Sequence, residues 1–334
     1  MIVPVLVFYI LCPGDAAMQR GLAIPMATDI AFSLGVLASF KKRVPLGLKI
    51  FLAALAVADD LGGIIVIALF YTSHIDTMFI ILSLACVLVM VLGNIFKCRS
   101  KAFYVIIGLV LWYTMLNSGI HATIAGVVTA FCIPATLKKG TGHYLERIRE
   151  NVNKFPVIDI DEQHNTIVLS NEEIHTLKSI ESAADKMISP LQDLEDNLHF
   201  LINFIVIPLF AFANAGVCVA GMSVGSLFSG VGLSVMLGLV LGKFVGVFSF
   251  SWIAVRLGVV TLPKNTTWKA FASVCVVCGI GFTVSMFIAD LSYAGLGAAG
   301  AALLDQAKLG VLVGSVVSAV IGCVLLNYTL PKEK

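Results

Sequence analysis

The sequence predicts an all-α polytopic membrane protein, and its composition, its long apolar runs and its loop charges each indicate this class. Of the 334 residues, 59% are hydrophobic and only 13% are charged. Soluble globular domains carry about 25% charged residues. A larger core does not explain this deficit, because a soluble protein still has to cover its surface. The composition therefore excludes a soluble enzyme and predicts several membrane-spanning helices.

The apolar runs set the number of spans. A helix that crosses a bilayer needs about 20 predominantly apolar residues. By this measure the sequence predicts one partial span and nine complete ones, at 1–12 (partial), 22–40, 46–70, 78–97, 102–117, 119–136, 199–221, 230–255, 268–291 and 305–328.

The runs divide the chain into three regions. Residues 1–136 form an N-terminal transmembrane part with the partial span and five complete spans, and 199–334 form a C-terminal part with four. Residues 137–198 hold most of the Asp and Glu and form a hydrophilic insertion. Apolar residues recur at helical spacing from Ile180 to Leu198, which predicts an amphipathic helix at the membrane surface within this insertion.

The short loops predict an orientation. Lys and Arg fall in alternate loops, and the intervening loops carry none apart from Arg20. Because basic loops stay in the cytoplasm, the basic loops, the insertion and the C-terminus are predicted to be cytoplasmic. The basic groups are Lys41-Lys42-Arg43, Lys97/Arg99/Lys101, Lys138-Lys139, Arg256/Lys264/Lys269 and Lys332/Lys334.

Four ionisable residues lie deep within predicted spans: Asp29, Asp59, Asp60 and Lys243. A charge at the bilayer centre costs about 2.5–3.5 kcal/mol on insertion scales, so each needs a partner or a function. A buried ion pair that only fixes helix packing is the alternative for any one of them. Two neighbouring carboxylates resist simultaneous ionisation, and carboxylate oxygens suit hard cations. The pair Asp59–Asp60 therefore predicts exchange of protons for a small cation.

Two spans carry interruptions. Pro25, Thr28 and Asp29 interrupt one apolar run, and Gly279 and Gly281 interrupt another. Broken helices in corresponding positions of two halves are typical of inverted-repeat transporters. Their half-helix ends carry partial charges, which Asp29 and Lys243 are suited to neutralise, although Lys243 could instead pair with an aspartate. The glycines could also serve only to bring helices close together.

Several motifs together resemble the NhaA family of sodium/proton antiporters, which is itself a known example of the inverted-repeat architecture. The motifs follow the family order and cover almost all of the chain outside the insertion. They are Ala27–Phe32, Ala58–Gly62, Ser118–Thr123, Pro208–Gly216, Gly242-Lys243, Cys278–Thr283 and Ala307–Gly310.

The resemblance implies a fold, an activity and residue roles. The fold is an inverted-repeat secondary transporter with two discontinuous helices. The activity is exchange of Na⁺, with Li⁺ as a second candidate ion, for H⁺ across the bacterial inner membrane in pH and sodium homeostasis. Asp59 and Asp60 match the ion- and proton-binding pair, with Thr28 as a further Na⁺ ligand. The remaining matches are the broken-helix and charge-balancing residues Thr28, Asp29, Lys243, Gly279 and Gly281, and the pH-response positions His121, Glu195 and His199.

The chain departs from the family at its start. Family members usually have twelve spans, and this sequence begins with a partial one, so the first two spans and the start of the third are expected to be missing. An inactive or regulatory truncated homologue is therefore an alternative, and a sodium-coupled symporter is a weaker one. Asp290 lies outside the family pattern and is expected at the membrane interface, near a helix end.

The remaining expectations concern partners. The transported ions Na⁺, Li⁺ and H⁺ and membrane lipid are the expected partners, with no nucleic acid and no cofactor. A homodimer is left open. No catalytic residue is assigned, because the predicted protein is a secondary active transporter and not an enzyme.

Overall fold

The computed structural model of the chain describes residues 1–13, 16–70, 76–136, 141–154, 171–214, 216, 230–294 and 296–331. All regular structure within these ranges is helical, which confirms the predicted all-α class. The α-helices are α1 Ile2–Leu11, α2 Ala16–Gln19, α3 Ile30–Ser39, α4 Leu46–Phe70, α5 Thr77–Ile95, α6 Lys101–Ser118, α7 Thr123–Cys132, α8 Thr141–Lys154, α9 Asn171–Asp185, α10 Pro190–Leu201, α11 Ile207–Asn214, α12 Gly230–Leu237, α13 Lys243–Arg256, α14 Trp268–Val277, α15 Phe282–Tyr293 and α16 Gly297–Thr329.

Shorter helical turns join some of these helices. Two 3₁₀ turns occupy Arg20–Met26 and Lys41–Arg43, and two π-helical turns occupy Ile202–Val206 and Gly238–Gly242.

Several helices in the described ranges are long and apolar enough to cross a membrane. Five qualify singly, and two further pairs qualify when each is counted as one bent span. The chain is therefore a multi-pass membrane protein. The five are Thr77–Ile95, Lys101–Ser118, Pro190–Asn214, Gly230–Arg256 and Ala299–Thr329, and the bent pairs are Ala16–Met26 with Ile30–Ser39 and Trp268–Val277 with Phe282–Tyr293.

The predicted span 119–136 is shorter in the structure, where α7 covers only Thr123–Cys132. Gly119 ends α6 in the left-handed conformation, with a φ of 86°. At the other end Ile133 is extended, because the ring of the following Pro134 disfavours a helical conformation in the residue before it. The backbone preferences of residues at both ends thus make this helix shorter than its apolar run.

The described helices group into two compact units, Met1–Thr72 with Asn203–Lys334, and Ser73–Ile202. In the first unit one apolar core surrounds Phe8, Leu239 and Met286, and a second surrounds Leu52 and Phe271. Helix α1 packs closely on the segment that leads into α13. A side chain at Gly242 would meet Cα of Pro4 at 2.7 Å, so the absence of one permits this contact.

The second unit contains α5 to α10. Met90, Tyr104 and Leu111 form its buried core, and Ser83 Oγ donates to Thr114 Oγ1 at 2.8 Å between α5 and α6. The predicted amphipathic stretch 180–198 is split here into the end of α9 and most of α10. Ser189 caps α10 by accepting from the N–H of Gln192 at 3.2 Å, and Pro190 occupies the first turn. Both residues are typical of a helix start.

Candidate functional site

Two broken helices meet at the predicted site. The chain leaves the 3₁₀ turn Arg20–Met26, is extended at Ala27 and Asp29, and begins α3 at Ile30. The second break lies between α14 and α15, and each pair of segments is bent by 42°. The N–H of Asp29 donates to the carbonyl oxygen of Ile280 at 2.7 Å, so the two breaks lie against each other. The predicted discontinuous helices are confirmed.

Asp29 caps both half-helices that begin at this crossing. Its Oδ1 accepts from the N–H of Phe32 in α3 at 3.1 Å, and its Oδ2 accepts from the N–H of Thr283 in α15 at 2.9 Å. The hydroxyl of Thr283 donates to the same Oδ2 at 2.5 Å. The first N–H groups of a helix lack internal partners and carry partial positive charge. One buried carboxylate therefore neutralises two helix ends.

A second cap comes from α16. Ser315 Oγ accepts from the N–H groups of Gly281 and Phe282, at 3.3 and 3.2 Å. The N-terminus of α15 is thus held by a carboxylate from one neighbour and a hydroxyl from another. Ser315 is a site residue that the sequence did not single out, since a serine in an apolar span gives no local sign of capping a distant helix.

The glycines of the second break are required by close packing. A Cβ at Gly279 would meet the carbonyl oxygen of Leu239 at 2.6 Å and the hydroxyl of Ser318 closer still. A Cβ at Gly281 would collide with the hydroxyl of Ser285 and lie 3.2 Å from the carbonyl oxygen of Ala27. Backbone therefore approaches backbone at the crossing. The two interpretations of these glycines, broken span and close packing, apply together.

Lys243 and Asp59 form a buried ion pair at 2.5 Å, with side chains 0% and 4% exposed. The ammonium also donates to Thr28 Oγ1 at 2.9 Å and to the carbonyl oxygen of Met26. The Thr28 hydroxyl lies 3.0 Å from the same Asp59 oxygen and 3.1 Å from the carbonyl oxygen of Cys278. Both roles considered for Lys243 occur together, because its ammonium pairs with Asp59 and also donates to the carbonyl oxygen of Met26, the last residue of the first half-helix.

A π-helical turn directly before Lys243 sets the position of the Lys243 side chain. The π-helical turn Gly238–Gly242 lets the N–H of Lys243 donate to the carbonyl oxygen of Gly238. Such turns insert an extra residue into a helix and occur frequently at functional sites. Because this turn redirects the following residues, the ammonium reaches both Asp59 and the first break.

Asp60 has a different environment from Asp59. It is half-buried, and its Oδ1 is buried without a hydrogen-bond donor among the described residues. A buried carboxylate oxygen without a donor is costly when it is charged. Either a proton or a cation would satisfy it. The neighbouring aspartates thus differ, since one has an ammonium partner and the other presents an oxygen that is open to a ligand.

The chemistry of the residues present suits a hard cation. Across the described ranges no group of three or more His, Cys, Asp and Glu side chains could hold a metal. The carboxylates of Asp59 and Asp60 and the hydroxyl of Thr28 supply the oxygen ligands that hard cations prefer. Na⁺ at Thr28, Asp59 and Asp60 remains a prediction that suits this chemistry.

The predicted pH-response residues belong to the other compact unit. His121 lies between α6 and α7, with its Nδ1 2.8 Å from Thr123 Oγ1. Glu195 and His199 are exposed on α10, one turn apart. Their role stays a prediction.

A further ion pair was not anticipated. Asp290, expected at an interface, lies near the end of α15, where its Oδ1 is 2.9 Å from Nζ of Lys308 in α16. Both residues fall at the edges of predicted spans. The signal that could have revealed the pair is an aspartate and a lysine of opposite charge in consecutive apolar runs.

Comparison with known proteins places these features in a family. The model of the family described as Na⁺/H⁺ antiporter 1 matches residues 1–326. A protein of Phocaeicola vulgatus named Na(+)/H(+) antiporter NhaA is 50% identical over 333 residues, which cover 100% of this chain and 73% of the relative. The Bacteroides fragilis protein of that name is 50% identical over 335 residues (100% and 74%), and the Shewanella pealeana protein is 40% identical over 333 residues (100% and 72%).

Proposed function

The chain belongs to the Na⁺/H⁺ antiporter 1 family, and we propose that its exchange of Na⁺ for H⁺ takes place at Asp59 and Asp60. The observation that carries this proposal is the contrast between the two carboxylates: Asp59 is neutralised by Lys243, and Asp60 presents a buried oxygen without a donor. The site thus combines Asp60, whose buried oxygen needs a proton or a cation, with Asp59, whose ammonium partner an incoming cation could replace.

In the proton-loaded state Asp60 carries a proton, and Asp59 is ion-paired with Lys243. When Na⁺ enters, Asp60 releases its proton, and the carboxylates of Asp59 and Asp60 bind the ion with the Thr28 hydroxyl oxygen. Lys243 then leaves Asp59. Its other acceptors, the Met26 carbonyl oxygen and Thr28 Oγ1, keep its nitrogen hydrogen-bonded during this step.

The stoichiometry that we propose is two protons for each Na⁺. One proton leaves the Asp60 carboxyl group, and the other leaves the Lys243 ammonium, which becomes a neutral amine as Na⁺ takes its place beside the Asp59 carboxylate. One net charge then crosses the membrane in each cycle, so the exchange is secondary active and electrogenic. A flux that does not respond to an imposed membrane potential would contradict this stoichiometry.

Sidedness and assembly complete the proposal. The chain is placed in the bacterial inner membrane with its basic loops, the 137–198 insertion and its C-terminus in the cytoplasm, because Lys and Arg alternate between loops. Lipid surrounds the exposed apolar helix faces, and a homodimer is the proposed assembly. Labelling of single introduced cysteines from either side tests the orientation, and the mass of the detergent-solubilised protein tests the dimer.

The decisive experiment measures Na⁺-induced proton movement in everted membrane vesicles from cells that lack other antiporters. The unaltered chain is expected to dissipate an imposed pH gradient on addition of Na⁺ or Li⁺, and Asp60→Asn is expected to abolish this response. Asp305→Asn, which neutralises an acidic residue on α16, serves as the matched control and should retain exchange. Exchange retained by Asp60→Asn would refute the site, and a silent unaltered chain would favour an inactive homologue.

A further inference from the structure

A second ion pair ties α15 to α16 away from the Asp59 site. Lys308 Nζ lies 2.9 Å from Asp290 Oδ1, and the two side chains are 8% and 33% exposed. Lysine is rarely buried to this degree unless it is paired. The pair shares no residue with the contacts of Asp59 and Lys243.

The two helices are joined at two separate points. At one point Ser315 of α16 accepts from the N–H groups that begin α15. At the other, Lys308 of α16 holds Asp290 of α15. On α16 these points are seven residues apart, or roughly 10.5 Å, and on α15 Phe282 and Asp290 are eight residues apart, or roughly 12 Å. Met286 and Val311, both buried, pack in the apolar core between them. Two such ties resist sliding and rotation of α15 along α16.

The register of α15 matters because this helix begins at the crossing. Thr283, in its first turn, donates through its N–H and its hydroxyl to Asp29. Thr28, the residue before Asp29 in the sequence, contacts both Asp59 and Lys243. A shift of α15 would therefore move Thr283, then Asp29 and then the Thr28 hydroxyl, through contacts that are all short and buried.

We propose that Asp290 and Lys308 are positioning residues for cation exchange, and that their ion pair holds α15 in the register that places Thr283 on Asp29 and Thr28 on Asp59. The pair thereby sets the affinity of the site for the transported cation without contacting it. This inference rests on the proposed function, since the affinity in question is that of the Asp59–Asp60 site.

Burial of its lysine distinguishes this pair from an ordinary surface ion pair. Lys101 and Asp193, at 2.7 Å, are 39% and 41% exposed, and pairs of that kind contribute little to stability. Removing one partner of a buried pair instead leaves a charge without compensation, whereas replacing both partners by neutral residues is often harmless. A pair that serves packing alone and a pair that sets the register therefore respond differently to a neutral double substitution.

The experiment compares five variants in proteoliposomes made with purified protein. They are Asp290→Asn, Lys308→Met, the neutral double variant, the charge-swapped variant Asp290→Lys with Lys308→Asp, and the control Asp305→Asn on the same helix. For each, the apparent KM for Na⁺, the maximal exchange rate and the Na⁺-dependent rise in Tm are measured. The rise in Tm reports binding without transport, because a ligand that binds only the folded state stabilises it.

Each single substitution is expected to raise the apparent KM for Na⁺ by about two- to thirtyfold, the range found for residues coupled to a distant site, and to reduce the Na⁺-dependent rise in Tm. The neutral double variant should recover Tm in the absence of Na⁺ but keep the raised KM. The charge-swapped variant should bring KM back toward that of the unaltered chain. Asp305→Asn should change none of these quantities.

Two results would overturn the inference. One is an unaltered KM in both folded single variants, and the other is a neutral double variant with the KM of the unaltered chain, which would reduce the pair to packing. Failure of the proposed function is distinct, because the unaltered chain would then neither exchange Na⁺ for H⁺ nor gain Tm from Na⁺.

Discussion

Asp29 and Thr283 join the two broken helices, since the N–H and the hydroxyl of Thr283 donate to one carboxylate oxygen of Asp29 at 2.9 and 2.5 Å. The residues are far apart in the sequence and lie on separate breaks. Their contact places a negative charge beside the N-termini of α3 and α15 at once. The crossing is therefore a point where local capping and long-range packing depend on the same side chain.

Thr283→Val is expected to lower the free energy of unfolding by about 1.5–3 kcal/mol, because it removes one hydroxyl hydrogen bond from a buried carboxylate. Asp29→Asn should also destabilise the protein, by about 1–2 kcal/mol, since it removes the charge that caps two helices. Denaturant unfolding in detergent micelles measures both. Thr283→Ser, which keeps the hydroxyl, is the control. Equal losses in the serine and valine variants would contradict the role assigned to the hydroxyl.

Thr28→Val is expected to raise the apparent KM for Na⁺ while leaving the protein folded. The substitution keeps the side-chain shape and removes a hydroxyl that contacts Asp59 and accepts from Lys243. It also removes one of the proposed Na⁺ ligands. Thr28→Ser retains the oxygen and should keep a KM near that of the unaltered chain. Kinetics in vesicles measure the difference, and a valine variant with unchanged KM would exclude Thr28 as a ligand.

Lys243→Met is expected to destabilise the protein by about 3–5 kcal/mol, because it leaves the Asp59 carboxylate buried without its counter-charge. The double variant Asp59→Asn with Lys243→Met should recover most of this loss, since no unpaired charge remains. Thermal unfolding of the three purified variants provides the comparison. If the double variant is as unstable as the single one, the cost does not come from the unpaired carboxylate.

Gly279→Ala is expected to destabilise the protein by about 1–3 kcal/mol through overpacking, because its methyl group would meet the carbonyl oxygen of Leu239 at 2.6 Å. Gly35→Ala is the matched control in α3 of the same compact unit. A Cβ there has no atom within 4 Å, and alanine favours a helix interior, so this variant should be neutral or more stable by about 0.5–1 kcal/mol. Tm values of the two variants should therefore move in opposite directions.

Arg99→Ala is expected to loosen the turn between α9 and α10. The Arg99 guanidinium donates to the carbonyl oxygens of Asp185, Lys186 and Ile188, at 3.1, 3.1 and 3.0 Å. Without these three exposed bonds the amides of that turn should exchange hydrogen about tenfold faster, which corresponds to a loss of about 1.4 kcal/mol in local stability. Hydrogen exchange detected by mass spectrometry measures this change. Unchanged exchange across 185–188 would mean that the turn holds without Arg99.

Sequence patterns predicted much of the fold because they act locally. Apolar runs of bilayer length predicted the helices, and Pro25 and the glycines Gly279 and Gly281 predicted the breaks, since each changes the backbone near its own position. The predicted length of one span was wrong, because residues that end a helix lie inside its apolar run. The run 119–136 became the ten-residue helix Thr123–Cys132, because Gly119 and Pro134 act on the backbone at its two ends.

By itself the sequence determined the membrane class, the two interrupted helices and the presence of buried carboxylates and a lysine. The charged residues can be recognised from the sequence alone because a charge in a bilayer is costly and therefore rare within apolar runs. Only the tertiary structure decided which charges meet. It paired Lys243 with Asp59 and left an oxygen of Asp60 without a donor. It also set Ser315 at the start of α15 and Lys308 against Asp290. Such pairings depend on helix packing across long sequence separations, and no local pattern specifies that packing.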